Sequence, residues 1–261
     1  MNYGDITTTQ LENFVVQCEI SRPPNNFFDY QLIKDLADCF EDLDASEDCR
    51  SIVLCSEGKH FCAGANFTSD IKNNDAIQRS ADAPNPLYTE AIRLFSSKKP
   101  VIAAVQGAAV GGGFGLALMA DFRVVSANTR MTANFLKLGF TPGFGLTHTL
   151  PRLVGVQKAN LLFMTGRRIN GETAHEWGLA DILTEDANVR SEAITLAEEI
   201  ASSAPLALLS LREQMRPGLS EAIKKHTDIE GLAQFHLQKT EDHKEGIKSV
   251  NERRPGNFVG K

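Results

Sequence analysis

Apolar positions alternate between strand-like runs and helical spacing over the first half of the chain. Leu11–Ile20 carries Phe14, Val15, Val16 and Ile20 and stops at the turn residues Ser21 to Asn26, which predicts a strand running into a turn. Phe27–Leu43 presents Leu32, Leu36, Cys39, Phe40 and Leu43 at the spacing of one helical face. Ser51–Ser56 is a short, continuous apolar run with β-branched members, as expected of a strand buried on both faces. The cycle then repeats: a helix over Pro86–Ser96, a strand over Pro100–Gln106, a glycine run, a helix over Phe114–Ala120 and a strand over Phe122–Ser126. This rhythm predicts an α/β core whose strands are buried and largely parallel.

After about Arg190 the strand signals stop. Ser191–Ala201, Pro205–Met215 and Leu219–Lys239 have helical patterns, broken at Pro205 and at Pro217-Gly218, and the final NERRPGNFVGK is irregular. The expected organisation is therefore an α/β core over 1–190 and a C-terminal helical region over 191–261. Asp70–Asn85 is the most polar and least periodic internal stretch, and is either a loop over a site or a solvated connection.

Composition removes several alternatives. With 261 residues, 42% of them hydrophobic, the chain can bury a substantial core and is not a disordered one. Its longest apolar run, Val101 to Ala120, is interrupted by Gln106 and five glycines and followed by Asp121, so no membrane span is expected. Lys+Arg total 27 against 33 Asp+Glu, and a formal charge of -6 argues against general nucleic-acid binding. MNYGDITTTQ shows no basic stretch leading into an apolar one, so the expected location is the cytoplasm. Cys18, Cys39, Cys49, Cys55 and Cys62 are odd in number, lack a CxxC pair and have mostly apolar neighbours; they read as free structural thiols. The six histidines do not pair with them at zinc-finger spacing, and no metal is expected.

Candidate chemistry lies in two segments. In Pro100–Ser126 (PVIAAVQGAAVGGGFGLALMADFRVVS) Gly111, Gly112 and Gly113 precede an apolar helix, leaving its first N–H groups open to an anion at the positive end of the helix dipole. A P-loop would need a Gly-Lys-Ser/Thr ending, which is missing, and a G-x-G-x-x-G fingerprint fails because leucine stands at the third glycine. Tight helix–strand packing is the competing explanation of these glycines. In Ile52–Ala65 (IVLCSEGKHFCAGA) a strand runs into a turn and then into small residues that expose further amides. Two amides converging from different loops would stabilise an enolate or tetrahedral anion.

Together and in this order, these segments resemble the crotonase (enoyl-CoA hydratase/isomerase) superfamily. HFCAGA and PVIAAVQGAAVGGG…LALMADFRVVS match its two oxyanion loops; LGFTPGFGLTHTLPRLVG, TGRRINGETAHEWGLAD and KTEDHKEGIKSVNERRPGNF match its later motifs. The resemblance implies a spiral of ββα units with a C-terminal helical part that trimerises, giving a homotrimer or hexamer. It implies an acyl-CoA or acyl-carrier-protein thioester as substrate, with coenzyme A or phosphopantetheine as part of that substrate and no separate cofactor. By motif position the carbonyl oxygen should sit between the N–H groups of Ala65 and Gly112, with Asn66, Phe67, Thr68, Gly115 and Phe135 against the substrate. Because that site is concave, Gly112→Val is expected to leave the fold intact.

The chain departs from the family pattern at its acids. The two glutamates of a hydratase fall on Gly115 and Phe135, and the loop that carries an acid in some isomerases and in a dehalogenase reads Thr141-Pro142-Gly143-Phe144. No Asp or Glu lies between Gly111 and Ala120. Neither glycine nor phenylalanine moves a proton, so two-carboxylate water addition is not inherited. Decarboxylation, in which departing carbon dioxide generates the enolate without a base, fits what remains, and TANFLKLGFTPGFG resembles decarboxylating homologues from polyketide β-branching cassettes. The alternatives are a non-catalytic acyl-CoA-binding homologue, or a hydratase/isomerase with relocated acid and base. Those decarboxylating relatives also use a lysine and a histidine, and His236 falls in roughly the region of the latter. Tyr88 and Glu90 flank the site in the family. His60 reads as a turn residue, His148 and Asp121 as structural, and Phe114, Phe135, Phe140 and Phe144 as either an acyl pocket or core.

Overall fold

The computed structural model describes residues 3–66 and 83–261. Its main sheet is built from β1 (Ile6–Gln10), β2 (Val15–Ile20), β3 (Ser51–Ser56), β4 (Val101–Val105), β6 (Phe122–Ser126) and β9 (Ile182–Thr184), hydrogen-bonded in that order. All neighbours run parallel except β1 and β2, which form an antiparallel hairpin. The hairpin corrects the expected strand Leu11–Ile20. Leu11 to Phe14 turn instead, with Asn13 and Phe14 at φ of 56° and 61°, and the Leu11 N–H donates to Val15 O at 2.9 Å. The threonine-rich Ile6–Gln10 takes the outer place, because its β-branched residues suit an edge that is half exposed.

Strand alternation separates two layers of core. Ile52 and Leu54 of β3 face the larger cluster, which includes Leu32, Leu36 and Phe40 of α1 (Tyr30–Ala45) and Leu94 of α2 (Pro86–Phe95). Val53 and Cys55 face the other way, onto α7 (Val189–Ala201), whose Val189, Ala193, Ala197 and Ala201 form an i, i+4 stripe. Small residues let that helix lie close to the sheet. The division drawn after residue 190 therefore falls inside a helix that belongs to the core packing.

A second sheet orders β5 (Ala108–Val110), β7 (Arg130–Thr132) and β8 (Arg168–Asn170), with β5 and β7 parallel and β7 and β8 antiparallel. Against β5 and α4 (Leu146–Val154) packs α3 (Gly112–Met119), buried along its whole length, which is why its sequence is apolar all round. With α4, α5 (Val156–Thr165) and α6 (Gly171–Glu176) complete the core. All five cysteines are buried thiols, and Cys18 Sγ lies 3.7 Å from Cys39 Sγ.

Three further helices, α8 (Pro205–Met215), α9 (Leu219–Leu237) and α10 (Glu241–Asn251), follow α7. Asp121 anchors α8: it accepts from Val101 N at 2.9 Å, Arg212 Nε at 3.0 Å and Arg216 Nη1 at 2.9 Å. α9 packs on α2 and α4, while α10, capped by Thr240, closes over the short 3-10 turn Phe135–Leu138. No single helix among the described residues is long and apolar enough to cross a membrane.

Candidate active site

The first glycine-rich loop is laid along the second by β-type pairing. Cys62 N donates to Ala108 O at 3.0 Å and Val110 N to Cys62 O at 3.0 Å, so His60–Ala65 runs beside β5 toward the start of α3. Residues 22–28 hold it from the other side. Ala63 N donates to Asn25 O at 2.9 Å, Phe28 N to Gly64 O at 3.1 Å, and the fully buried Asn26 amide to the carbonyls of Glu57 and His60 at 2.8 and 2.6 Å. A Cβ on Gly64 would stand 2.6 Å from Val110 O and 3.9 Å from Gly112 N, so the Gly64-Ala65 peptide lies next to the first amide of α3. Among the described residues, neither the Ala65 N–H nor the Gly112 N–H has an acceptor. For Gly112 this follows from its place in the first turn of a helix.

Each glycine of the run answers a different demand. Gly111 turns the chain at φ 55° and ψ -117°, where a side chain would be strained. A Cβ on Gly113 would lie 2.2 Å from Cys62 O, so the close approach of the two loops needs it. At Gly112 the Cβ position is 1.8 Å from Phe28 Cζ. The expectation that Gly112→Val spares the fold is thereby corrected: a side chain at this position would be driven into the Phe28 ring.

Gly115 is likewise not open. A Cβ there would meet Phe144 Cδ1, Cβ and Cγ at 2.9, 3.0 and 3.2 Å, so the expected substrate contact is instead a ring contact. Phe144 is 1% exposed, holds φ of 61°, and packs on Phe28 and Phe95 with ring centroids 5.9 and 6.2 Å away. Phe135 is buried beside Gly111, whose Cβ position is 3.7 Å from Phe135 Cζ. Phe135 meets Phe140 edge-on at 5.7 Å, and Phe140 meets His243 at 5.1 Å. Phe114 is fully buried in the core.

The Thr141–Thr147 loop that carries Phe144 is fastened by residues remote in sequence. Buried Glu230 of α9 accepts from Gly145 N at 2.8 Å, Thr147 N at 2.9 Å and Thr147 Oγ1 at 2.6 Å, capping α4, whose own N-cap is glycine. Burial pushes the Glu230 carboxyl up to about 7, against these three donors, which favour its charged form. Gln234 accepts from Tyr88 Oη at 2.7 Å and donates to Thr141 O at 2.8 Å. His226 Nδ1 lies 2.9 Å from Thr147 Oγ1, and its ring stacks edge-on with His148 at 5.0 Å.

The remaining candidates resolve by position. Asn66 is exposed at the end of the loop, and Phe67 and Thr68 lie outside the described residues. Glu90 pairs with Arg93 at 2.5 Å rather than facing the glycines. His236 is exposed on α9 beside Phe235, whereas buried His243, which the sequence reading passed over, reaches the Phe135 end of the site. His243 Nδ1 lies 2.6 Å from Leu138 O, so Nδ1 carries the proton, and burial lowers the ring's basicity. Glu230, Gln234 and Phe28 were also missed. No local pattern marks them, since each acts on a partner more than 80 residues away.

Known proteins share this architecture. The family profile described as enoyl-CoA hydratase/isomerase matches residues 10–261. A probable enoyl-CoA hydratase of Bacillus subtilis (strain 168) is 34% identical over 96% of this chain and 97% of its own. The 1,2-epoxyphenylacetyl-CoA isomerase of Escherichia coli (strain K12) is 28% identical over 97% of this chain and 98% of its own. Among solved structures, an enoyl-CoA hydratase/isomerase from Pseudoalteromonas atlantica T6c superposes with a TM-score of 0.86 at 26% identity, covering 98% of this chain and 100% of that one. With the profile spanning nearly the whole sequence, this chain belongs to the enoyl-CoA hydratase/isomerase family.

Proposed function

We propose that the protein processes an acyl thioester, of coenzyme A or of an acyl carrier protein, by holding the thioester oxygen between the N–H groups of Ala65 and Gly112. The observation that carries this reading is the juxtaposition of Gly64-Ala65 with the first turn of α3, where both amides lack an acceptor among the described residues. Such donors stabilise charge that develops on oxygen as an enolate forms. The acyl-CoA names of the relatives support the substrate class.

The reaction we favour is decarboxylation. The bond from Cα to a carboxylate breaks, its electron pair passes into the enolate, carbon dioxide leaves, and a proton from solvent then adds to Cα. No side-chain base is required at the first step. Phe144 filling the space at Gly115 and Phe135 lying against Gly111 support this choice, because neither position supplies a carboxylate. An apolar wall also favours loss of the substrate's charge. The relatives' names favour a second reading, hydration or isomerisation with acid and base placed elsewhere. We also favour a homotrimer or a dimer of trimers: Leu206, Leu211 and Met215 of α8 are 81%, 56% and 74% exposed.

The test is to offer the purified protein crotonyl-CoA and an α-carboxyacyl-CoA, of which malonyl-CoA is the simplest, in parallel. Carbon dioxide release from the second, with no appreciable hydration of the first, is expected, since each missing carboxylate withholds roughly 10²–10⁴-fold. Hydration at about 10 per second or faster would overturn the reading.

A further inference from the structure

An open cleft of about 440 Å³ lies on the small sheet, lined by Arg130, Arg167, Arg168, Ile169, Asn170, Thr173 and Trp177. The register explains the convergence of charge. β7 and β8 pair Arg130 with Asn170 and Thr132 with Arg168, so the exposed Arg130, Arg168 and Asn170 share the solvent face while Met131 and Ile169 point to the core. Arg130 and Arg168 are thus diagonal cross-strand neighbours, about 7–8 Å apart at Cα. Arg167 Nε reaches Thr165 Oγ1 at 3.3 Å, and its terminal amino groups have no partner among the described residues.

None of these three guanidinium groups makes an ion pair among the described residues, although the chain carries a formal charge of -6. Glu172, the carboxylate beside the cleft, accepts from Asn170 Nδ2 at 3.2 Å instead. Other buried or half-buried arginines are matched: Arg93, Arg123, Arg212 and Arg216 all reach carboxylates. Lys158 adds a fourth positive charge, its Nζ 5.1 Å from the centre of the Trp177 ring. Like charges crowded on one face repel unless an anion joins them, and guanidinium forks match phosphate oxygens in pairs. Beside them Trp177 and Ile169 offer a flat apolar wall, and Asn170 and Thr173 offer polar contacts.

From this arrangement we infer that the cleft binds a small organic phosphate of the nucleoside diphosphate class, with its phosphates on Arg130, Arg167 and Arg168 and its base toward Trp177. The site is separate from Ala65 and Gly112 and does not depend on the reaction proposed there.

Trp177 is the single tryptophan of the chain, so indole fluorescence reports on this cleft alone. The protein is titrated with ADP, inorganic pyrophosphate, inorganic phosphate and adenosine at low salt. ADP should give a saturable change that pyrophosphate competes away, that adenosine does not reproduce, and that weakens as salt rises. Arg130→Ala and Arg168→Ala should each weaken ADP about tenfold without altering melting temperature or particle size, and Arg168→Lys should restore only part of the loss. Phosphate or adenosine binding as tightly as ADP would overturn the ligand class. No saturable response by about 1 mM, a typical weak-ligand concentration, would overturn the site, as would unchanged affinity in a double variant carrying both Arg130→Ala and Arg168→Ala. A shift in particle size in that variant without any effect of ADP would also refute it, showing that the arginines meet another copy of the chain.

Discussion

Gly115 and Phe144 share one volume, and a double-mutant cycle measures it. In Gly115→Ala the new methyl lands 2.9–3.2 Å from three atoms of the Phe144 side chain. Overpacking of this kind costs about 1–3 kcal/mol, while alanine returns about 1 kcal/mol of helix propensity, for a net loss of about 0–2 kcal/mol. Phe144→Gly removes a buried ring at about 3–5 kcal/mol and relieves a left-handed backbone at φ 61° by about 1 kcal/mol. With the ring gone, Gly115→Ala meets no obstacle and should stabilise by about 1 kcal/mol. The two changes should therefore couple by about 1–3 kcal/mol, read from urea unfolding of the four proteins. Additivity within about 0.5 kcal/mol would refute the claim that Phe144 occupies the space beside Gly115. The same Phe144→Gly background is the place to introduce Gly115→Glu and ask whether hydration of crotonyl-CoA is gained.

The other expectations rest on single contacts. Gly112→Val forces a side chain into the Phe28 ring and should cost about 3 kcal/mol or more in a melting experiment; a fully stable variant would show that the ring moves freely. Glu230 has its carboxyl raised from 4.5 to about 7, so its stabilising contribution is complete below pH about 4.5 and is lost as pH rises through about 7. That loss amounts to about 3 kcal/mol at most, and Glu230→Gln should flatten the corresponding fall in stability between those pH values. Parallel pH profiles for the two proteins would contradict the assignment. Asp121→Ala strands Arg212 and Arg216, both largely buried, and should cost about 3–5 kcal/mol with early protease cleavage in α8; Asp121→Asn should cost less.

Several parts of this molecule were legible from local pattern. β3, β4 and β6 appear within a residue of their expected ends because their runs are short, mostly apolar and bounded by turns. α8 appears as expected, since Pro205 starts it and Pro217-Gly218 follows it. The two glycine-rich loops also announced themselves, because strand, turn and small residues stand in contiguous sequence. That Gly115 and Phe135 themselves carry no carboxylate is likewise plain from residue identity alone.

What stayed hidden depends on who meets whom. The three-residue strands β5, β7 and β8 are too short for any period, and they exist only because each finds a partner across the small sheet. β1 and the turn at Asn13-Phe14 follow from hairpin closure, which overrides an apolar run that looked continuous. Whether Gly112 and Gly115 face a pocket or a ring was settled by Phe28 and Phe144, which arrive from other elements. Glu230 and Gln234 carry no signal of their own on a helix of mixed composition, yet they hold the loop that aims Phe144. Sequence periodicity is a property of neighbours along the chain and determined the elements and the two loops. Close approach is a property of neighbours in space, and only the tertiary structure could decide which side chain fills the volume each glycine leaves.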